Sequence, residues 1–130
     1  MFRNRTNKYK NIPAEADGYY FDSRKERDYY IYLREQQKQG KISDLKMQVS
    51  YEIIPAVWVE EVKHLKTKDK VIRRCDQRAA YYVADFVYMN NETGKEEVVD
   101  VKSAITRMNS EYRLKKKMMY AFNGIKIKEI

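Results

Sequence analysis

The chain has one cysteine, Cys75, and one histidine, His64. A single thiol excludes an internal disulfide and a cysteine-built zinc site. A single imidazole excludes a histidine triad and a multi-histidine metal centre. Glycine and proline are scarce, at 4 and 2 residues, which argues against a linker-rich or disordered protein. No apolar run approaches the roughly 18 residues needed to span a bilayer. The amino terminus, Met1-Phe2-Arg3-Asn4-Arg5, is basic but has no apolar segment behind it. It does not read as a secretory signal, and a cytoplasmic location is expected. What remains for chemistry is carboxylates, lysines and any metal ion they hold.

What is present is charge and aromatic surface. Hydrophobic residues make up 43% of the 130, with 12 tyrosines, enough to build one core and one domain. Lysine plus arginine number 27 against 19 acids, a net charge of +8. That balance points to a polyanionic partner, nucleic acid first and an anionic membrane surface second. The basic residues are spread over several segments and form no single amphipathic helix, which disfavours the membrane.

Residues 1–18 read as a basic arm (Arg3, Arg5, Lys8, Lys10) ending in the Asp17-Gly18 turn signal, either a frayed terminus or a strand-tracking contact. The rest, 19–130, reads as one domain. A helix is predicted from an Asp22 or Ser23 cap to about Gln39, stopped by Gly40, with Tyr29, Tyr30 and Leu33 as its buried stripe. Glu26 lies on that same stripe. It completes a capping box with Ser23 or serves as a functional carboxylate. Leu45, Met47, Val49, Tyr51 and Ile53 alternate with polar neighbours and predict a strand with one core face. Residues 60–78 hold Lys63, Lys66, Lys68, Lys70, Arg73, Arg74 and Arg78, and read as a basic loop or short-strand excursion, solvated or phosphate-contacting. Trp58 serves the core or stacks on bases. A second helix is capped by Asn109 or Ser110 and ended by Asn123-Gly124, with Leu114, Met118, Ala121 and Phe122 on one face. Ile125-Lys126-Ile127-Lys128 closes the chain as a strand, giving the order α-β-β-β-α-β.

The chain is organised around the hairpin running from Tyr81 to Tyr88, through Asn91-Glu92-Thr93-Gly94, to Val98-Val99-Asp100-Val101-Lys102. With residues 91–94 as a four-residue loop, Asn90 pairs with Lys95 and Asp85 falls opposite Asp100. A loop one residue longer would place the two acids on opposite faces. Facing carboxylates on neighbouring strands repel unless a cation lies between them. Two strand acids, a helix acid and a lysine two residues after Asp100 are hard-oxygen ligands for Mg²⁺ or Mn²⁺ with an ammonium beside them. The plainer alternative is a salt bridge on the sheet, with Lys102 paired to both acids.

Taken together, Phe21-Asp22-Ser23-Arg24-Lys25-Glu26, Gly40-Lys41-Ile42-Ser43-Asp44-Leu45, Tyr82-Val83-Ala84-Asp85-Phe86, Val99-Asp100-Val101-Lys102 and Tyr112-Arg113-Leu114-Lys115-Lys116-Lys117 form an ordered, gapped set. This set resembles the PD-(D/E)xK nuclease superfamily, and within it small phage and prophage nuclease-like proteins, over nearly the whole chain. The one departure is Ala84, where the motif has proline. The resemblance implies a restriction-endonuclease-like αβββαβ core with a mixed central sheet flanked by helices. It implies a metal-dependent endodeoxyribonuclease of phage replication or recombination, acting in the host cytoplasm on DNA, with a homodimer as one arrangement. Glu26, Asp85, Asp100 and Lys102 match the catalytic positions, and Asp85, Asp100 and Glu26 the metal ligands. Lys102 would position the water for in-line attack. Gln48 is a site-edge amide or an exposed strand residue. Arg73, Arg74, Arg113, Lys115, Lys116 and Lys117 are candidate nucleic-acid contacts, with a solvated surface as their alternative. A non-catalytic DNA-binding accessory on the same fold is the rival reading.

Overall fold

The computed structural model describes residues 14–130. The arm's basic residues Arg3, Arg5, Lys8 and Lys10 lie outside that range. Residues 14–18, expected at the end of the arm, supply strand β1 (Ala14–Ala16) and the turn that leads into β2 (Tyr19–Phe21). Asp17 and Gly18 both take left-handed backbone angles, φ 52° and 81°, as a tight two-residue hairpin turn requires. The hairpin buries Ala14 and Phe21 against α1 (Arg24–Lys38).

Helix α1 begins where the sequence predicts. Ser23 is extended and its Oγ accepts the backbone N–H of Glu26 at 3.1 Å. Gly40, with φ 75°, ends the helix. Tyr30 and Leu33 are buried, with Tyr29 packed beside them, and Glu26 is buried on the same face.

Four strands form the central sheet, in the order β3 (Ile42–Ile54), β6 (Ala80–Asn90), β7 (Lys95–Asp100) and β8 (Lys128–Glu129). β6 is antiparallel to both neighbours, and β7 and β8 are parallel, so the sheet is mixed. Helix α3 (Ser110–Asn123) packs on β3 and β6, after a one-turn helix α2 (Ala104–Arg107) in the connection that follows β7. The closing strand is shorter and later than predicted, because only Lys128 and Glu129 reach β7. The predicted hairpin register holds: Asn90 pairs with Lys95 and Phe86 with Val99.

Two expectations give way here. The first is the single core face of β3. Leu45 and Met47 pack with Leu33, Phe86, Tyr88, Val99 and Val101, whereas Val49, Tyr51 and Ile53 join Tyr82, Ala84, Val98 and Met119. Residues two apart in an unbroken strand share a face. Gln48 breaks the count, because its φ of 52° lies in the left-handed region. β6 changes sides at the same level: Phe86 is opposite Met47 and Ala84 opposite Val49, which leaves Asp85 across from Gln48.

The second is the buried line of α3. Met119 is fully buried and Tyr112 and Met118 pack near it, while Leu114 and Phe122 are 53% and 62% exposed. Both lines run at helical spacing, and the sheet selects the one that carries Met119. The predicted caps hold: Asn109 Oδ1 accepts the N–H of Tyr112, and Gly124 is left-handed at φ 66°.

The segment 60–78 is a strand excursion rather than a loop, with strands longer than expected. Strands β4 (Val57–His64) and β5 (Asp69–Gln77) form an antiparallel hairpin with its own two-stranded sheet. It is inserted between β3 and β6. Without it, and setting aside the β1–β2 hairpin and the one-turn α2, the order is helix, three strands, helix, strand.

Candidate active site

The level at which β3 and β6 change sides is where the predicted acids meet. Asp85 and Asp100 are 7% and 1% exposed, inside a sheet that otherwise buries apolar side chains. Burying a carboxylate is costly unless its oxygens find donors. Here the two strands supply them reciprocally. The Asp85 backbone N–H donates to Asp100 Oδ1 at 3.0 Å, and the Val101 N–H donates to Asp85 Oδ2 at 2.9 Å. This exchange ties β6 to β7 just beyond Phe86–Val99, the last paired residues of the ladder. It leaves Asp100 Oδ2 buried with no hydrogen-bond partner among the described residues. Burial raises the Asp100 carboxyl above its ordinary value, and the Asp85 amide and Lys102 only partly offset this.

Lys102 lies two residues on, with its Nζ 3.7 Å from Asp85 Oδ2 and 5.6 Å from the centre of the Tyr112 ring. Its backbone carbonyl accepts Lys25 Nζ at 3.2 Å, which links the end of the β7 segment to α1. The ammonium therefore has a carboxylate on one side and an aromatic face on the other. Nothing in the sequence marks Tyr112 for this role. Its signal, an aromatic one turn into α3, is indistinguishable from core packing without the fold.

Glu26 approaches from α1. Its carboxylate turns to Gln48, whose Nε2 donates to Glu26 Oε1 at 3.3 Å and lies 3.4 Å from Asp85 Oδ1. Ser23 Oγ accepts the Glu26 N–H, but the Glu26 carboxylate turns to Gln48 rather than back to the Ser23 N–H, so only half of the expected capping box forms. Burial, followed by the charges of Asp85 and Asp22, pushes its carboxyl up to about 7. Gln48 is exposed and belongs to the rim, so both readings of it hold together.

The other basic candidates separate into three places. Lys115 pairs with Glu111 at 3.3 Å and borders the hollow that holds Asp100, Lys102 and Tyr112. Arg113, Lys116 and Lys117 line a different, larger groove of about 700 Å³ with Arg107 and Lys126. Glu129 lies in it, bonded to Lys116 Nζ at 2.6 Å and Tyr112 Oη at 3.0 Å. Sequence reasoning missed Arg107 and Lys126, which lie outside the 113–117 basic run and join its groove only through the fold. Arg73 and Arg74 stand on the β4–β5 hairpin. Arg73 lies over the Trp58 ring at 4.6 Å, and Arg74 Nε bonds Glu61 at 2.7 Å. Trp58 is half exposed and serves no core.

Glu26, Gln48, Asp85, Asp100 and Lys102 are therefore one constellation, drawn from α1, β3, β6 and the end of β7. Among the described residues, no three His, Cys, Asp or Glu side chains converge tightly enough to hold a metal as they stand. The donor set still suits a hard divalent cation. Mg²⁺ keeps several waters and needs only one or two carboxylates, and Asp100 Oδ2 is a buried acceptor with its bonding capacity unused. Among the described residues, no helix is long and apolar enough to cross a membrane.

No curated protein and no solved structure matches the chain. A family model does match, over residues 6–130, and its description is a protein of unknown function. The chain belongs to that family, DUF1064.

Proposed function

We propose that this protein is a metal-dependent DNA phosphodiesterase, an endonuclease of the PD-(D/E)xK type with a restriction-endonuclease-like core. The observation that carries the reading is the Asp85–Asp100 exchange. Two buried carboxylates are fixed by each other's strands, one oxygen is left without a partner, and an ammonium stands 3.7 Å away. Buried charge of this kind is a poor source of stability, which favours a functional role. The helix–three strands–helix–strand order and the net charge of +8 agree with it.

In this reading Asp85 and Asp100 would hold Mg²⁺ or Mn²⁺, with Glu26 reaching a ligand or a second ion. The bound ion would neutralise phosphate charge and acidify a water. Lys102 orients the attacking water and stabilises the charge that grows on the phosphoryl oxygens, held in aim by Asp85 and Tyr112. Gln48 bridges Glu26 and Asp85 at the rim, its amide donating to both carboxylates.

The test is cleavage of supercoiled plasmid, a four-way junction, a flap, single-stranded DNA and RNA, each with Mg²⁺, Mn²⁺ or EDTA. Asp100→Asn keeps the Oδ1 acceptor for Asp85 and should fold normally. It should lower cutting by at least about a hundredfold, with DNA binding unchanged or tighter. Equal cutting by parent and variant would sink the proposal. A second reading, a non-catalytic DNA-binding accessory, is favoured by one feature: the Glu26 and Asp85 carboxylates already have Gln48 and Lys102 as partners. Salt-dependent DNA binding without cutting under any metal would select it.

A further inference from the structure

The β4–β5 hairpin has no structural role in the body of the protein. Its strands pair with each other from Val57–Gln77 to His64–Asp69 and share no sheet with any other strand. Beyond that pairing, neither packs appreciably on another described element. Eight paired residues reach roughly 26 Å. An isolated two-stranded hairpin is marginal in water, so a conformation held this far from the core calls for a partner.

The charge along the hairpin is sorted. Near the base, acids and arginines neutralise one another: Arg74 contacts Glu61 at 2.7 Å and Asp76 at 3.3 Å. The distal end holds Lys63, Lys66, Lys68 and Lys70. Its one carboxylate, Asp69, is occupied by His64 at 2.8 Å. Lys63 and Lys70 are directly opposite each other on the two strands. Like charges at facing positions destabilise a hairpin, and none of these four lysines has an ion-pair partner among the described residues. This concentrated, self-repelling cation cluster at a projecting tip is complementary to a polyanion and repels a second copy of itself.

We propose that the β4–β5 hairpin is a DNA-gripping arm whose terminal lysines sit on backbone phosphates of duplex outside the segment held at the carboxylates. A two-stranded ribbon fits the major groove of B-form DNA, so the tip favours duplex that extends beyond the cut. This rests on DNA being the substrate, but not on its being cut.

The test compares full-length protein with a tip variant, Lys66→Gln, Lys68→Gln and Lys70→Gln. A second variant removes equal charge elsewhere, Lys38→Gln, Lys41→Gln and Lys95→Gln, around the Gly40 and Gly94 turns. Binding of labelled duplex is followed by anisotropy over a salt series in EDTA, with melting and sedimentation run alongside. The tip variant should keep the parent's melting temperature and lose about tenfold or more in affinity. Its log–log salt slope should fall by about two to three, at roughly 0.9 per phosphate contact. The turn variant should stay near the parent. Equal loss in both variants, or loss in neither, overturns the arm. A tip variant that binds as the parent but changes its sedimentation makes the hairpin a self-association element and overturns it too. A parent that binds no DNA at low salt removes both the arm and the functional reading. A parent that binds through the tip yet never cuts leaves the arm standing and removes only the nuclease.

Discussion

Glu26 shows how much a single residue's surroundings alter its chemistry. Its ordinary carboxyl value of 4.5 is raised to about 7 by burial and by the neighbouring acids. A folded-state value above the unfolded one means that the folded chain binds more protons between the two. Stability from this group is full below the unfolded value and is lost as pH rises through about 7. Asp100, also raised by burial, acts in the same direction. Glu97, Glu129 and Asp17 are held low by hydrogen-bond partners, so their contributions fade only at more acid pH. In EDTA the parent should therefore lose stability between about pH 4.5 and about pH 7. Glu26→Gln should flatten that decline and leave the variant the more stable of the two at the alkaline end. Urea melts across the range check it, and a variant curve as steep as the parent's would show that Glu26 is not the group responsible.

At the scale of elements, the helices illustrate what a pattern does and does not fix. Caps are local: Ser23, Asn109, Gly40 and Gly124 do what their chemistry predicts, because each needs only the next few residues. The buried face of α3 is not local. Of the expected face only Met118 packs on the core; Leu114, Ala121 and Phe122 make as good an apolar line as Tyr112 and Met119, and contact with β3 and β6 decides between them. Met119→Ala should accordingly cost about 2–5 kcal/mol. Leu114→Ala and Phe122→Ala should each cost less than about 1 kcal/mol, since exposed positions lose little packing. Denaturant midpoints for the three variants rank the faces, and a costlier Phe122→Ala would reverse the assignment. β3 carries the same lesson. A two-residue period assumes an unbroken strand, and one left-handed residue at Gln48 sends Leu45 and Val49 to different cores.

The whole molecule divides into a body and an arm. Ile54 and Ala80 are paired neighbours in the central sheet, so the chain leaves the body and re-enters it at adjacent points. Replacing residues 55–79 with a tight Asn-Gly turn should therefore leave a body that unfolds cooperatively. Its melting temperature should lie within about 5 °C of the parent's, because the excised strands bury little against the core. Calorimetry tests this, and loss of the cooperative transition would mean that the hairpin is part of the fold.

The sequence by itself determined what depends on near neighbours and on residue type. It set the helix caps, the Asn90–Lys95 turn that puts Asp85 level with Asp100, and the Glu26, Asp85, Asp100 and Lys102 set. Its single histidine and single cysteine left carboxylates as the chemistry available. Tertiary structure decided whatever depends on which surfaces meet. It joined Gln48 and Tyr112 to the acids and Lys102, and Arg107 and Lys126 to the groove beside α3. It also turned the basic stretch after Pro55 into a projecting hairpin. The physical reason is range. Caps and tight turns are settled by hydrogen bonds a few residues apart, whereas burial and convergence are settled by packing between segments that the chain order alone does not bring together.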